Sequence, residues 1–281
     1  MMRTIGFALL FVGCAAGLRA QSPWTRSDAG FYTQLAWHTI PTYTGLFGTD
    51  GKGRVLDRAL RESTLQWYGE YGLSDQTTLV ASIPYRFMKS GAFQDNAPAP
   101  QTAEGNFRAL GNASIAFRQQ LWSQGIQVAG TLRFDLPVDQ YDPPTGLRTG
   151  YNAFTIVPMV SAGKGFGKAY AFAYGGYGWR SNGYSALMQA GLEGGAKIGP
   201  VWLILFTELI QPFENGSVKL PYRNELTALY IDNQGWWSYG LKGIWEINRF
   251  WGIVASGAGA GWAQNVPKNP GLSAGVFFKW D

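Results

Sequence analysis

From Leu65 to Phe87 apolar and polar positions alternate, break for three residues, and resume. Leu65, Trp67, Gly69, Tyr71 and Leu73 share one parity; Gln66, Tyr68 and Glu70 share the other. After Ser74-Asp75-Gln76, the set Leu79, Ala81, Ile83, Tyr85 and Phe87 stands opposite Thr78, Ser82 and Arg86. Successive side chains on a strand point to opposite faces, so this stretch predicts two long antiparallel strands, a tight turn and one apolar face. The pattern recurs and predicts twelve strands: 30–40, 62–73, 77–88, 109–122, 125–136, 151–163, 168–179, 185–198, 201–213, 235–247, 250–262 and 271–280. Most run to about 10–14 residues, what a tilted strand needs to cross a hydrocarbon layer and roughly twice the soluble average.

The connections alternate in length. Ser74-Asp75-Gln76, Ser123-Gln124, Gly199-Pro200 and Asn248-Arg249 are tight, and 164–167 is slightly longer. Between them lie long segments, 41–61, 89–108, 137–150, 214–234 and 263–270, with 180–184 the one short member. Short turns on one rim and long loops on the other predict an all-β, closed antiparallel transmembrane β-barrel of about 12 strands, with both termini on the periplasmic side. Residues 225–232 are the place where a further strand segment could rise above the membrane. In the last strand Leu272, Ala274, Val276, Phe278 and Trp280 form the outward row, opposite Ser273, Gly275, Phe277 and Lys279. A final alternating strand with a terminal aromatic is what barrel-insertion machinery reads, although Asp281 follows Trp280. Trp37, Trp122, Trp179, Trp237 and Trp245 near other strand ends fit interfacial girdles, in contact with outer-membrane lipid and lipopolysaccharide.

The first twenty residues are a separate object. Arg3 precedes an apolar stretch from Ile5 to Leu18 that is too short for a membrane span, and Arg19-Ala20 precedes Gln21. The reading is a signal peptide over 1–20 and a barrel over 21–281; the alternative is a lipoprotein signal ending at Cys14, after a poor lipobox. Cys14 is the only cysteine, so no disulfide supports the exported chain. Aromatic residues make up 15% and glycines number 38, both suited to strands, while the mean hydropathy of −0.10 fits interleaved and not blocked apolar residues. A secreted soluble β-sandwich is the bland alternative, and it leaves the outward aromatics unexplained.

Of 23 basic residues, Arg3 and Arg19 fall in the first twenty, leaving 21 against 18 acidic. The charges are scattered, so nucleic acid is not an expected partner. Opposite the apolar face stand Gln66, Glu70, Arg86, Arg118, Arg133, Asp135, Glu193, Lys197, Lys242 and Glu246. Charges on membrane strands are costly unless they face the lumen, so these predict either a weakly selective aqueous path or interlocking ion pairs. The run 201–210 is apolar on both faces except Thr207 and Glu208, which sends Trp202, Ile204 and Phe206 inward. A twelve-stranded barrel has a backbone radius of roughly 12 Å, so its lumen is narrow or gated.

Catalytic chemistry is thinly represented. His38 is the one histidine; no serine motif accompanies it, and no metal-ligand or cofactor spacing appears. Gly163 to Lys168 lacks the spacing of a phosphate loop, and no helix follows Gly257, Gly259 and Gly261. Those alternate glycines predict close packing of the wall against bulky interior side chains.

The run from Glu70 to Asp75, with Ile83-Pro84-Tyr85 on the returning strand, resembles the second hairpin of an outer-membrane transporter family associated with the meta-pathway of phenol degradation. Leu132 to Asp139 resembles that family's later strand entering a proline-bearing loop. The layout is distantly similar to the long-chain fatty-acid transporter, whose barrel follows a plug domain; residues 21–29 are too short for one. The resemblance implies passive movement of a small solute, hydrophobic or aromatic given Trp202 and Phe206, with no coupling to an energy source. A scaffold or adhesin-like barrel, and a lipid hydrolase using His38, are the other readings.

Overall fold

The structure, a computed structural model, describes residues 21–48, 53–94 and 101–280. The expected signal peptide therefore lies outside the described residues. The strands are β1 (Phe31–Phe47), β2 (Gly53–Ser74), β3 (Thr77–Phe93), β4 (Gly105–Leu110), β5 (Ala113–Trp122), β6 (Gln127–Leu136), β7 (Tyr141–Asp142), β8 (Leu147–Arg148), β9 (Thr155–Phe166), β10 (Ala169–Arg180), β11 (Leu187–Ile198), β12 (Val201–Pro212), β13 (Gly235–Glu246), β14 (Trp251–Gln264) and β15 (Gly271–Trp280). One helix, α1 (Tyr222–Thr227), precedes β13. Every barrel pairing is antiparallel, and β1 joins both β2 and β15, which closes the wall. Because β4 and β5 pair with successive parts of β3, they form one interrupted strand, and the wall has twelve.

Closure leaves no edge, as the hydrocarbon layer requires of strands. Twelve residues of β12 at a tilt of about 40° rise about 28 Å, enough for an apolar band. The faces separate as the alternation predicts: on β12 Leu205 is 68% exposed while its neighbour Ile204 is 2% exposed. Trp122, Trp245, Trp251 and Trp280 are exposed near the turn end, and Trp179, Trp237 and Trp262 near the loop end. A soluble sandwich has neither the closed wall nor this outward apolar surface.

Several expectations need correction. The segments read as loops over 41–61 and 89–108 are in large part strand, because β1, β2 and β3 run on past the rest of the wall. Register shifts after Ile40 and Tyr43 turn the inner face by one residue, so Ile40, Tyr43 and Leu46 are all buried at a spacing of three. Strict period-two reading cannot follow a bulge. The strand read over 109–122 breaks at Gly111-Asn112. Residues 225–232 form no strand: they hold the end of α1, whose C-cap Ala228 lies in the left-handed region at φ 53°. The turn after β9 is Gly167-Lys168. Gly257 and Gly261 approach Leu272 and Trp237, on the outward face. Close packing of the wall on interior rings occurs instead at Gly240, where a Cβ would meet Phe206, and at Gly195, where it would meet Tyr170.

Residues 21–29 bear most on function. Though no domain, they fold into the turn end of the lumen. Trp24 stands edge-on to Tyr170 and Phe172, at ring-centroid distances of 5.6 and 5.9 Å, and Gln21 and Pro23 are buried. The Asp75 turn holds the segment through the Thr25 hydroxyl (2.7 Å) and the Asp28 amide (2.9 Å). The segment is thus too short for a plug domain, as read, yet it fills the turn end of the lumen.

Candidate functional site

An apolar cluster packs at the loop end and narrows it as a cap. Ile40, Tyr43, Leu46, Leu56, Leu60 and Met88 from the tall strands pack on Leu147, Ala228 and Leu229 from the loops. Arg148 fastens the cap: its Nη1 lies 2.7 Å from Asp139 Oδ2 and its Nε donates to Asn224 Oδ1 at 2.9 Å. Burial pushes the Asp139 carboxyl above its ordinary value, and the Arg148 guanidinium pulls it partly back. Arg180 ties the next loop down by donating to Ser185 O (2.6 Å) and pairing with Asp232 (3.1 Å).

Charges filling the turn half form two networks. In the first, Glu70 accepts from Arg26 Nε (2.7 Å), Tyr68 Oη (2.5 Å) and Arg118 Nη2 (3.3 Å). Arg118 is wholly buried and also donates to the Trp24 carbonyl at 2.8 Å, so Glu70 secures the N-terminal segment twice. In the second, Lys242 pairs with Glu193 at 2.8 Å, Tyr170 donates to the same carboxylate at 2.7 Å, and Glu246 pairs with Lys279 at 2.7 Å and with Lys197. Lys197 and Lys242 lie over the rings of Trp202 and Phe206, at 5.6 and 6.0 Å. Of the two sequence readings for these charges, the geometry is that of interlocking pairs.

Between the plug and the cap lies a chamber of about 170 Å3. Apolar and aromatic lining comes from Tyr68, Val80, Met159, Ile210, Tyr230 and Trp236, and polar lining from His38, Arg86, Arg133, Asp135, Arg180 and Gln189. Arg133 Nε lies 3.0 Å from Asp135 Oδ1, and its Nη2 donates to Gln189 Oε1 at 3.3 Å. The interrupted strand shapes this wall. Asn112 bridges the carbonyls of Leu136 and Tyr151, and a Cβ at Gly111 would come within 2.8 Å of Arg86 Nε. Glycine there lets the Arg86 side chain lie against the backbone.

Of the candidates read from sequence, Arg86, Arg133 and Asp135 meet at the chamber. Glu70 and Arg118 belong to the plug network; Glu193, Lys197, Trp202, Lys242 and Glu246 form the other cluster and do not line the chamber. Phe206 lines a smaller cavity, shared with His38, Thr64 and Arg86, and also an apolar lipid-facing groove of about 850 Å3 beside Leu205, Leu241 and Leu272. Glu208 is buried and faces Tyr174 Oη at 3.4 Å. Missed in the sequence were Arg180, Gln189, Tyr230 and Trp236. Gln189 and Trp236 share the inward parity of their strands and were legible; Tyr230 arrives from a loop and carried no periodic signal. Among the described residues no group of three His, Cys, Asp or Glu side chains could hold a metal.

No family model and no curated protein matches the sequence. Among solved structures, the COG4313 outer membrane channel from Pseudomonas putida F1 is similar with a TM-score of 0.69 and 14% identity, over 94% of this chain and 100% of that one. The translocator domain of the autotransporter NalP from Neisseria meningitidis gives 0.53 at 12% identity, over 91% and 89%. The β domain of the Bordetella autotransporter BrkA gives 0.51 at 14%, over 90% and 100%. At such identities the likeness is one of fold, and the fold is that of outer-membrane barrels.

Proposed function

We propose that the chain is an outer-membrane barrel for passive movement of small hydrophobic or aromatic solutes. The observation that carries this is the chamber, a space inside the wall whose lining mixes apolar and aromatic side chains with polar ones, between a nine-residue plug and a loop cap. The similarity to a channel of 100% matched length agrees with the reading, as does the resemblance of Glu70–Asp75 to transporters. Residues 1–20 serve as the export signal, the long loops face outward, and the turns and both mature ends face the periplasm. Ser273 stands opposite His38, but among the described residues no hydrogen bond joins His38 to a serine, and the reading is of a chain that acts without catalysis.

A gradient alone drives such a barrel. In sealed liposomes carrying the protein and no energy source, a small aromatic solute is expected to equilibrate faster than in empty liposomes. Equal rates, persisting after removal of residues 21–29, would make the barrel a scaffold. Orientation has its own test: on intact cells, Glu104→Cys is expected to react with an impermeant thiol reagent and Gln124→Cys to stay protected. The opposite pattern reverses the topology.

A further inference from the structure

We infer that the chamber binds the anionic end of its solute at Arg86, and that the preferred solute is a small aromatic monocarboxylate. This rests on the transport reading and names its substrate class. Charge comes first. Asp135 is matched by Arg133, and Asp232 by Arg180. Glu62, beside Arg86 in the smaller cavity, accepts from the Tyr43 hydroxyl at 2.5 Å. Arg86 feels the Glu62 carboxylate electrostatically but has no carboxylate within 4.0 Å among the described residues; it makes one long bond to Thr64 Oγ1, at 3.3 Å, and lies over the Tyr230 ring at 5.0 Å.

Donors come second. Arg86 Nε, Trp236 Nε1 and His38 Nε2 are buried without a hydrogen-bond partner, and all three residues line the chamber. His38 is 8% exposed. The Gln189 amide nitrogen is directed at the Met159 thioether, a weak acceptor. Buried polar groups are otherwise nearly always paired, so two orphaned N–H donors, Arg86 Nε and Trp236 Nε1, with the unpaired His38 Nε2 beside them, fit an acceptor-rich guest. A carboxylate presents only acceptors and suits a guanidinium fork. Size comes third. A cavity of about 150 Å3 holds a benzene ring, so about 170 Å3 suits one ring and a carboxylate. Tyr68, Val80, Ile210 and Tyr230 supply the surface for the ring.

The test uses purified, folded barrel in detergent and equilibrium titration calorimetry with benzoate and with benzamide, its neutral isostere. Benzoate is expected to bind at least about tenfold tighter, one charge-assisted hydrogen bond converted at 298 K. Arg86→Gln should erase that preference while leaving benzamide unchanged, and Arg86→Lys should keep part of it. Heat-modified gel migration confirms that each variant is folded. Equal wild-type affinity for the two ligands, or no binding of either, overturns the proposal without needing a variant. So does an Arg86→Gln protein that still prefers benzoate. Flux of neutral aromatics in liposomes is a separate readout, so transport can stand where the anion site falls.

Discussion

Glu70→Gln is expected to lower the stability of the folded barrel by about 3 kcal/mol and to loosen its turn end. The change keeps the shape and removes the charge. Arg118, wholly buried, and Arg26 then share no carboxylate. Removing one partner of a buried ion pair typically costs about 3–5 kcal/mol because the remaining charge is left uncompensated, and the retained amide oxygen puts this variant at the low end. Urea unfolding in detergent micelles, followed by tryptophan fluorescence, measures it. A loss below about 1 kcal/mol would mean that Glu70 is not the hub of the plug network. Replacing Arg118 and Glu70 together by Met and Gln should recover part of the loss, since both charges leave the interior.

Deleting residues 21–29 from the mature barrel is expected to raise its ion conductance in planar bilayers at least about tenfold. The segment fills the turn end with Trp24, and its removal also strips Arg118 of the Trp24 carbonyl. The cap at the loop end is tied by different groups, Arg148 with Asp139 and Arg180 with Asp232, and stays in place. Conductance unchanged from that of the full chain would show that the narrowest point lies at the cap and not at the plug.

The fold was legible because lipid imposes a simple code. Every wall strand has one face in hydrocarbon, so Leu65, Trp67 and Tyr71 alternate with Gln66, Tyr68 and Glu70, with Gly69 tucked under the Trp67 ring. The same holds for Leu272 to Trp280 on the last strand, down to the pairing of Trp37 with Ala274. Legibility fails where the code stops. Above the membrane, bulges move Tyr43 and Leu46 off the period, and a strand reads as a loop. Leu147 is buried, and Tyr230 half-buried against the same cluster, by long-range packing that no local pattern announces. Residues 21–29 show no periodicity, since they are held by single contacts to Glu70, Thr78 and Asp75. At the site, inward charges were readable as a set, but not who pairs with whom. Arg133 and Asp135 stand two apart and pair along their own strand, whereas Lys242 and Glu193 reach across β12.

The most direct measurement of the central claim is a rate ratio. Liposomes of one preparation, carrying the full mature barrel, are given a small aromatic alcohol in one arm and a disaccharide in the other, with the rates in protein-free liposomes subtracted. The chamber's size and lining predict that the aromatic solute passes at least about tenfold faster through the protein. Equal rates would contradict a path selective for hydrophobic solutes, and no protein-dependent flux of either would contradict transport itself.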